Sequence, residues 1–296
     1  MDVSIILVNY NTQKMTSECI GSVRKHTEGI SYEIILVDNA STDGSKKYFE
    51  KDKDLKYIYN EVNLGFGRAN NKGIEIAKGD YIFLLNTDTI LLNNACKLFM
   101  DYEIMNHDYY VLGAWLLDAV GQINHTYGRF PSKRTELSSA LRVYTDRIPY
   151  VKKYNLFWTE TFINDDIEVD YITGADLFIP RSVIEKVGMF DERFFMYYEE
   201  SDLEKRMAYN GVKRRIIRSP KIIHYEQGSQ TGNVNHKNMR KLAMSTTGML
   251  IYIRKYSNYF SFYCFKILYF LLRLPAMMLS EYSYKEKIQY FQLFIK

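Results

Sequence analysis

Asn86-Thr87-Asp88 directly follows the uninterrupted apolar run Tyr81-Ile82-Phe83-Leu84-Leu85. A run of that length and character reads as a strand buried on both faces of a parallel sheet. A carboxylate just past its carboxyl end faces the crevice where open α/β sheets bind ligands. Asp38 repeats the arrangement after Ile34-Ile35-Leu36-Val37. Either aspartate alone reads equally well as a turn or helix-capping residue. Together they point to a metal-assisted nucleotide site, because hard cations take carboxylate and phosphate oxygens at once. Asparagines at positions 9, 11, 39, 63, 70, 71 and 86 add to this, since their amides present donors and acceptors to base and ribose edges in fixed directions.

A second dense signal is Phe190-Asp191-Glu192-Arg193-Phe194-Phe195-Met196-Tyr197-Tyr198-Glu199-Glu200-Ser201-Asp202-Leu203. Ser201 and Glu204 form an S-x-x-E capping box, which predicts a helix starting there and stopping near Asn210-Gly211. Glu200 then lies just ahead of the helix, in a loop, with the aromatic run as a dry wall. A carboxylate held so, beside Glu199, can act as general base toward a hydroxyl. The plainer reading is a solvated acidic helix start favoured by the helix dipole. His224 follows the apolar stub Lys221-Ile222-Ile223 and precedes Gln227-Gly228-Ser229-Gln230-Thr231-Gly232. A lone histidine is more often structural, but this position suits a metal or diphosphate contact, and the glycine-containing loop could close over a nucleotide.

The elements that must position these groups alternate. Residues 3–8 read as a first strand ending in Asn9-Tyr10-Asn11-Thr12, and Met15, Cys19, Ile20 and Val23 recur at helical spacing. Strands are expected at 34–37, 57–59 and 81–85. Asn63-Leu64-Gly65-Phe66-Gly67 leads into a helix ending near Lys78-Gly79. Strand and helix exchange over short connections, so the first hundred residues should form a doubly wound parallel sheet. A dinucleotide-binding fold is excluded, because the turn after the first strand holds no glycine and Gly65-Phe66-Gly67 follows the wrong strand. Residues 101–170 are less regular, with a further strand expected at 167–172 and a short helix over 180–188.

With 296 residues there is room for one large domain, or for a domain and an appendage. A net charge of +4 is too small to argue for a nucleic-acid partner, but its placement is informative. Residues 251–296 carry seven Lys/Arg against Glu281 and Glu286, so the basic excess lies in an aromatic-rich tail and its natural partner is an anionic membrane surface. Within 259–279, Lys266 and Arg273 lie seven apart on one helical face, and Pro275 and these charges leave no uncharged stretch near the ~20 residues of a spanning helix. An interfacial helix is expected, the alternative being packing on the domain or on a second subunit. Cys19, Cys96 and Cys264 have no metal-like spacing and an odd count, so they read as thiols in a reducing compartment. No basic leader precedes the first apolar run, so a cytoplasmic protein is expected, peripheral on the inner face of the membrane.

Taken together these residues resemble family 2 glycosyltransferases, closest to the bacterial rhamnosyltransferase-like branch. The matching pieces are residues 5–12, Val37-Asp38-Asn39-Ala40-Ser41-Thr42-Asp43-Gly44-Ser45, residues 63–73, Leu85-Asn86-Thr87-Asp88, Gly174-Ala175 and residues 190–206, in the expected order. The resemblance implies the α/β GT-A fold over residues 1–235, with a nucleotide-binding half to about residue 100, an acceptor and catalytic half after it, and a helical tail at 236–296. It implies inverting transfer of a sugar from a nucleoside diphosphate to the hydroxyl of a glycan or lipid-linked acceptor in surface polysaccharide synthesis. The nucleotide would lie along Val8, Asn9, Asn11, Asp38, Asn39, Asn63, Gly65, Gly67, Asn70 and Asn86, with Asp38 on the base. Asp88 is the last residue of the family's D-x-D metal motif, whose first place is Asn86 here, so His224 becomes the second contact for Mg²⁺ or Mn²⁺. Glu200 stands where the family usually has an aspartate base. Glu199, Gly174, Ala175 and Asp176 would line the acceptor pocket, with Trp115 a weaker sugar platform. The branch suggests dTDP-rhamnose as donor and a UDP-sugar as alternative. A noncatalytic sugar-nucleotide or glycan-binding scaffold is the rival from another class.

Overall fold

The computed structural model describes residues 1–106, 110–145, 165–225 and 239–295. The chain divides into two compact units. The first comprises Met1–Arg129, Phe162–Phe195 and Glu199–Asn233, and the second comprises Phe130–Thr161, Met196–Tyr198 and Val234–Lys296.

In the first unit the chain runs β1 (Val3–Asn9), α1 (Gln13–His26), β2 (Tyr32–Asp38), α2 (Ser45–Phe49), β3 (Leu55–Tyr59), α3 (Phe66–Ile76) and β4 (Tyr81–Asn86). Then come β5 (Thr89–Leu91), α4 (Ala95–Asn106), β6 (Tyr110–Leu117) and β7 (Tyr127–Gly128). Strands β1 to β4 form the parallel block β3-β2-β1-β4. Its register sets Asn9 beside Asp38 and Val8 beside Asn86, so the polar strand ends finish on one edge. The apolar runs are fully buried because α1 covers one face and α3 the other, as a doubly wound sheet requires.

After the second unit's insertion the chain returns as β8 (Ile167–Glu168), β9 (Tyr171–Ile172), β10 (Asp176–Pro180), α6 (Arg181–Val187), α7 (Glu199–Tyr209) and β11 (Lys213–His224). β10 inserts antiparallel between β4 and β6, and β11 runs parallel to β6 and antiparallel to β5. The nine-stranded sheet is thus parallel from β3 to β4 and mixed beyond. The strand expected over 167–172 is two short pieces: Ile167–Glu168 pairs with β11, whereas Tyr171–Ile172 pairs with β7 in a separate ribbon. A central position for β6 also overturns the role suggested for Trp115. The ring is 4% exposed, edge-on to Tyr127, with its Nε1 donating to the Asp165 carbonyl, so it is core and no sugar platform.

The second unit contains α5 (Lys133–Thr145), α8 (Met239–Lys255), α9 (Tyr259–Met278) and α10 (Tyr284–Gln292). The helical tail therefore does not begin at residue 236 alone, because α5 packs on α9. Pro275 sits inside α9 and breaks its hydrogen-bond ladder. The Tyr144 hydroxyl enters the gap, donating to the Leu272 carbonyl (2.6 Å) and accepting from Ala276 N–H (3.2 Å). Lys266, placed by its spacing on one helical face with Arg273, is 8% exposed beside the Phe262 and Tyr263 rings. Phe262, Phe265 and Tyr269 are buried with it, and the side turned to solvent is apolar: Phe260, Ile267, Leu268, Leu271 and Met278.

Candidate active site

The polar strand ends of the first unit are held by hydrogen bonds among their own side chains and loops. Asn9 is fully buried: its Oδ1 accepts from Thr12 and Thr16, and its Nδ2 donates to Ser41 Oγ. Asn11 takes a left-handed backbone (φ 57°), and its Oδ1 accepts from Thr42 N–H. Asp38, also fully buried, accepts from Ser41 N–H and from the Tyr57 hydroxyl, both at 2.8 Å. Asn39 ties three loops, donating to Asn63 Oδ1 and Gly65 O and accepting from Asn60 and Leu64 N–H. Asn70 donates to Phe66 O within α3. These side chains hold the loop framework that shapes this edge of the sheet.

Gly65 and Gly67 serve the same framework. Gly65 adopts φ 86°, ψ 174°, a region essentially reserved for glycine. A Cβ there would collide with the Phe195 carbonyl, which instead accepts from Phe66 N–H at 2.9 Å. A Cβ on Gly67 would meet Phe190 and Glu199. The Asn63-Leu64-Gly65-Phe66-Gly67 segment thus closes α3 onto the stretch that carries Glu199 and Glu200.

Asp88 and His224, 136 positions apart in sequence, meet because β5 pairs with the end of β11. His224 Nε2 lies 3.3 Å from Asp88 Oδ1, both side chains being about a tenth exposed, and Tyr225 N–H donates to the Asp88 carbonyl. The His224 Nδ1 is buried without a hydrogen-bond partner. One carboxylate and one imidazole fit a divalent cation that draws its remaining ligands from diphosphate and water. No third His, Cys, Asp or Glu joins them among the described residues. Gln227-Gly228-Ser229-Gln230-Thr231-Gly232, the expected closing loop, lies outside the described residues.

Glu200 departs from its expected setting. Helix α7 starts at Glu199, not after Ser201, following two consecutive left-handed residues, Tyr197 (φ 71°) and Tyr198 (φ 70°). That turn starts the helix two residues early and puts Glu200 in its first turn. The S-x-x-E box is not formed either, because Glu204 Oε2 accepts from Ile172 N–H (2.8 Å) and Oε1 has no partner. Burial pushes the Glu200 carboxyl above its ordinary range.

Gly174 sits directly against Glu200: a Cβ placed on it would lie 3.7 Å from Glu200 Cβ and 3.5 Å from the Phe66 ring. The adjoining Ala175 accepts from Asn86 N–H at 2.9 Å, which joins this turn to the strand end carrying Asp88. Phe66, which nothing in the sequence pattern marked, thus borders the same Gly174 position as Glu200. Asp176 and Glu199 do not line an acceptor pocket. Asp176 has no exposed surface, its Oδ2 accepts from Ala114 N–H, and burial raises its carboxyl well above the usual range. Glu199 is 3% exposed and packs toward Gly67.

The chain belongs to glycosyl transferase family 2, whose sequence profile matches residues 4–188. Within that family it is rhamnosyltransferase-like. It is 25% identical over 238 residues to N-acetylglucosaminyl-diphospho-decaprenol L-rhamnosyltransferase of Mycobacterium tuberculosis, covering 76% of each chain. It is 25% identical to rhamnosyltransferase WbbL of Escherichia coli, covering 75% of this chain and 83% of that one. The hexosyltransferase Agl10 of Haloferax volcanii, of low-salt glycan biosynthesis, is 26% identical over 78% of this chain and 69% of its own. Among solved structures, S. aureus TarS superimposes with a TM-score of 0.55 at 14% identity, over all of this chain and 43% of that one, a likeness of fold alone. The protein is a glycosyltransferase of glycan biosynthesis with the GT-A type of fold.

Proposed function

We propose that this chain transfers a sugar, with inversion, from a nucleoside diphosphate to the hydroxyl of a glycan or lipid-linked saccharide. The placement of Glu200 carries the reading: it stands in the first turn of α7 with a raised carboxyl, against Gly174 and one hydrogen-bonded step from the Asn86 strand end. An acceptor hydroxyl at Gly174 gives its proton to Glu200 as its oxygen attacks the anomeric carbon from the face opposite the leaving diphosphate. A single displacement from that side inverts the centre. Phe66 and the half-buried turn flank that position. Asp88 and His224 would hold a Mg²⁺ or Mn²⁺, which supplies charge stabilisation of the leaving diphosphate when bound.

The donor of first choice is dTDP-rhamnose, supported by the names of two relatives, with UDP-sugars as alternatives. One of those names also specifies a lipid-linked acceptor, which agrees with the apolar outer side of α9. On this reading the enzyme works at the cytoplasmic face of a membrane. A thermal-unfolding screen of sugar nucleotides with Mg²⁺ or Mn²⁺ tests the donor site, since a ligand of the folded state raises its stability. A metal-dependent rise with one nucleotide, lost in Asp88→Ala, supports the assignment. Equal rises in Asp88→Ala and the natural chain remove Asp88 from the site.

A further inference from the structure

Two carboxyl groups near Glu200 are wholly enclosed and play no part in the reaction as described. Glu204 lies one helical turn along α7 from Glu200, on the same side of the helix. It has no exposed surface, and its Oε2 accepts from Ile172 N–H at 2.8 Å. Ile172 is the last residue of β9, and two residues later comes Gly174, against which Glu200 rests. The connecting turn is fixed from every side: Thr173 N–H donates to Thr126 O, Ala175 N–H to Thr173 O, and Asn86 N–H to Ala175 O. At its far end the second enclosed carboxyl, Asp176, accepts from Ala114 N–H at 2.6 Å. Glu204 is thus the side-chain link between the helix bearing the base and the turn bearing the acceptor position.

We propose that Glu204 is a positioning residue for the transfer reaction, its carboxyl locking α7 to the Ile172–Gly174 turn so that Glu200 faces the acceptor hydroxyl at a fixed distance. The inference rests on the base assignment above. Glu204 has no exposed surface and its Oε2 is taken by Ile172 N–H, whereas Glu200 is only partly covered, so Glu204 does not compete for the role of base. Its neighbours are Glu200, Asp176 and Arg214, and burial leads the causes that raise it well above its usual range. Arg214 opposes that shift, but its guanidinium is also engaged with the Asp170 and Val212 carbonyls. A carboxyl oxygen accepts from Ile172 N–H whether the group is neutral or charged, so Glu204 can hold the turn in either form.

The test uses the full chain with the sugar nucleotide selected by the unfolding screen, following nucleoside diphosphate release across pH. N-acetylglucosaminyl-diphospho-prenol and water serve in turn as acceptors. Glu204→Gln keeps the accepting oxygen and should stay within about twofold of the natural enzyme, with the acid limb of its pH profile unmoved. Glu204→Leu removes the link and should lose about tenfold or more in kcat with donor KM unchanged, an effect of misplacing a reacting group. Natural kinetics in Glu204→Leu overturn the inference, as does an equal loss in Glu204→Gln, which would make the ionisable group itself essential. Where Glu204→Leu fails to fold, hydrogen exchange at the Ile172 amide decides. It should be protected in the natural chain and Glu204→Gln and fast in Glu204→Ser, and equal protection in all three overturns the link. Full activity in Glu200→Gln would remove the base assignment itself. An inactive Glu200→Gln beside a normal Glu204→Leu removes only this inference.

Discussion

Asp88, His224 and Glu200 illustrate what single residues reveal before their surroundings are known. The place of Asp88 just past a buried strand was legible, because the apolar run that forms β4 ends just before it. His224 had only its apolar stub to recommend it, and the β5–β11 pairing that brings it within 3.3 Å of Asp88 is a contact across 136 positions with no local signature. The asparagines show the opposite case. Their composition suggested ligand-facing amides, yet Asn9 and Asn39 are enclosed and bonded within the framework, because tight loops need side-chain partners for their own backbone groups. Trp115 and Asp176 were misplaced because β6 and β10 are covered on both faces, so side chains on either side of these strands are enclosed. The sign of the Glu200 shift has a direct consequence. A base must be deprotonated, so turnover should fall as pH drops through a carboxyl range set higher than usual by burial.

Elements were read with uneven success, and the pattern follows how local their causes are. The alternation of β1 through β4 with α1 and α3 emerged from apolar periodicity, and the observed boundaries extend the expected strands by one or two residues. The start of α7 did not emerge. Ser201 and Glu204 have the right types for a capping box, but the left-handed pair Tyr197-Tyr198 starts the helix earlier, and Glu204 finds a tertiary partner in Ile172. Position 65 tests how α3 is seated. Gly65→Ala would place a Cβ against the Phe195 carbonyl at a backbone angle other residues avoid, at a cost of about 1–3 kcal/mol from the conformation alone. Thermal unfolding should show a midpoint lower by several degrees. An unchanged midpoint would mean that α3 is not fixed by this close approach.

For the whole molecule, the sequence indicated a basic aromatic tail but not which side of it faces outward. Helix α9 is 20 residues long and apolar enough, by length and composition, to cross a membrane. Its enclosed Lys266 and its packing on α5, α8 and α10 argue for a helix that lies along a surface with Phe260, Ile267 and Leu271 outward. Replacing those three by serine should release the protein from anionic lipid vesicles in a flotation assay, and unchanged flotation would assign the apolar side to another partner. On the proposed reading two distant stretches of chain cooperate in transfer, and Glu200 is where that reading is most open to experiment. The decisive measurement is single-turnover sugar transfer by Glu200→Gln, with nucleotide affinity determined on the same samples. Loss of the general base should slow transfer by at least about 100-fold while affinity for the donor stays as it was. Transfer at the natural rate, with the donor bound equally well, would contradict the account.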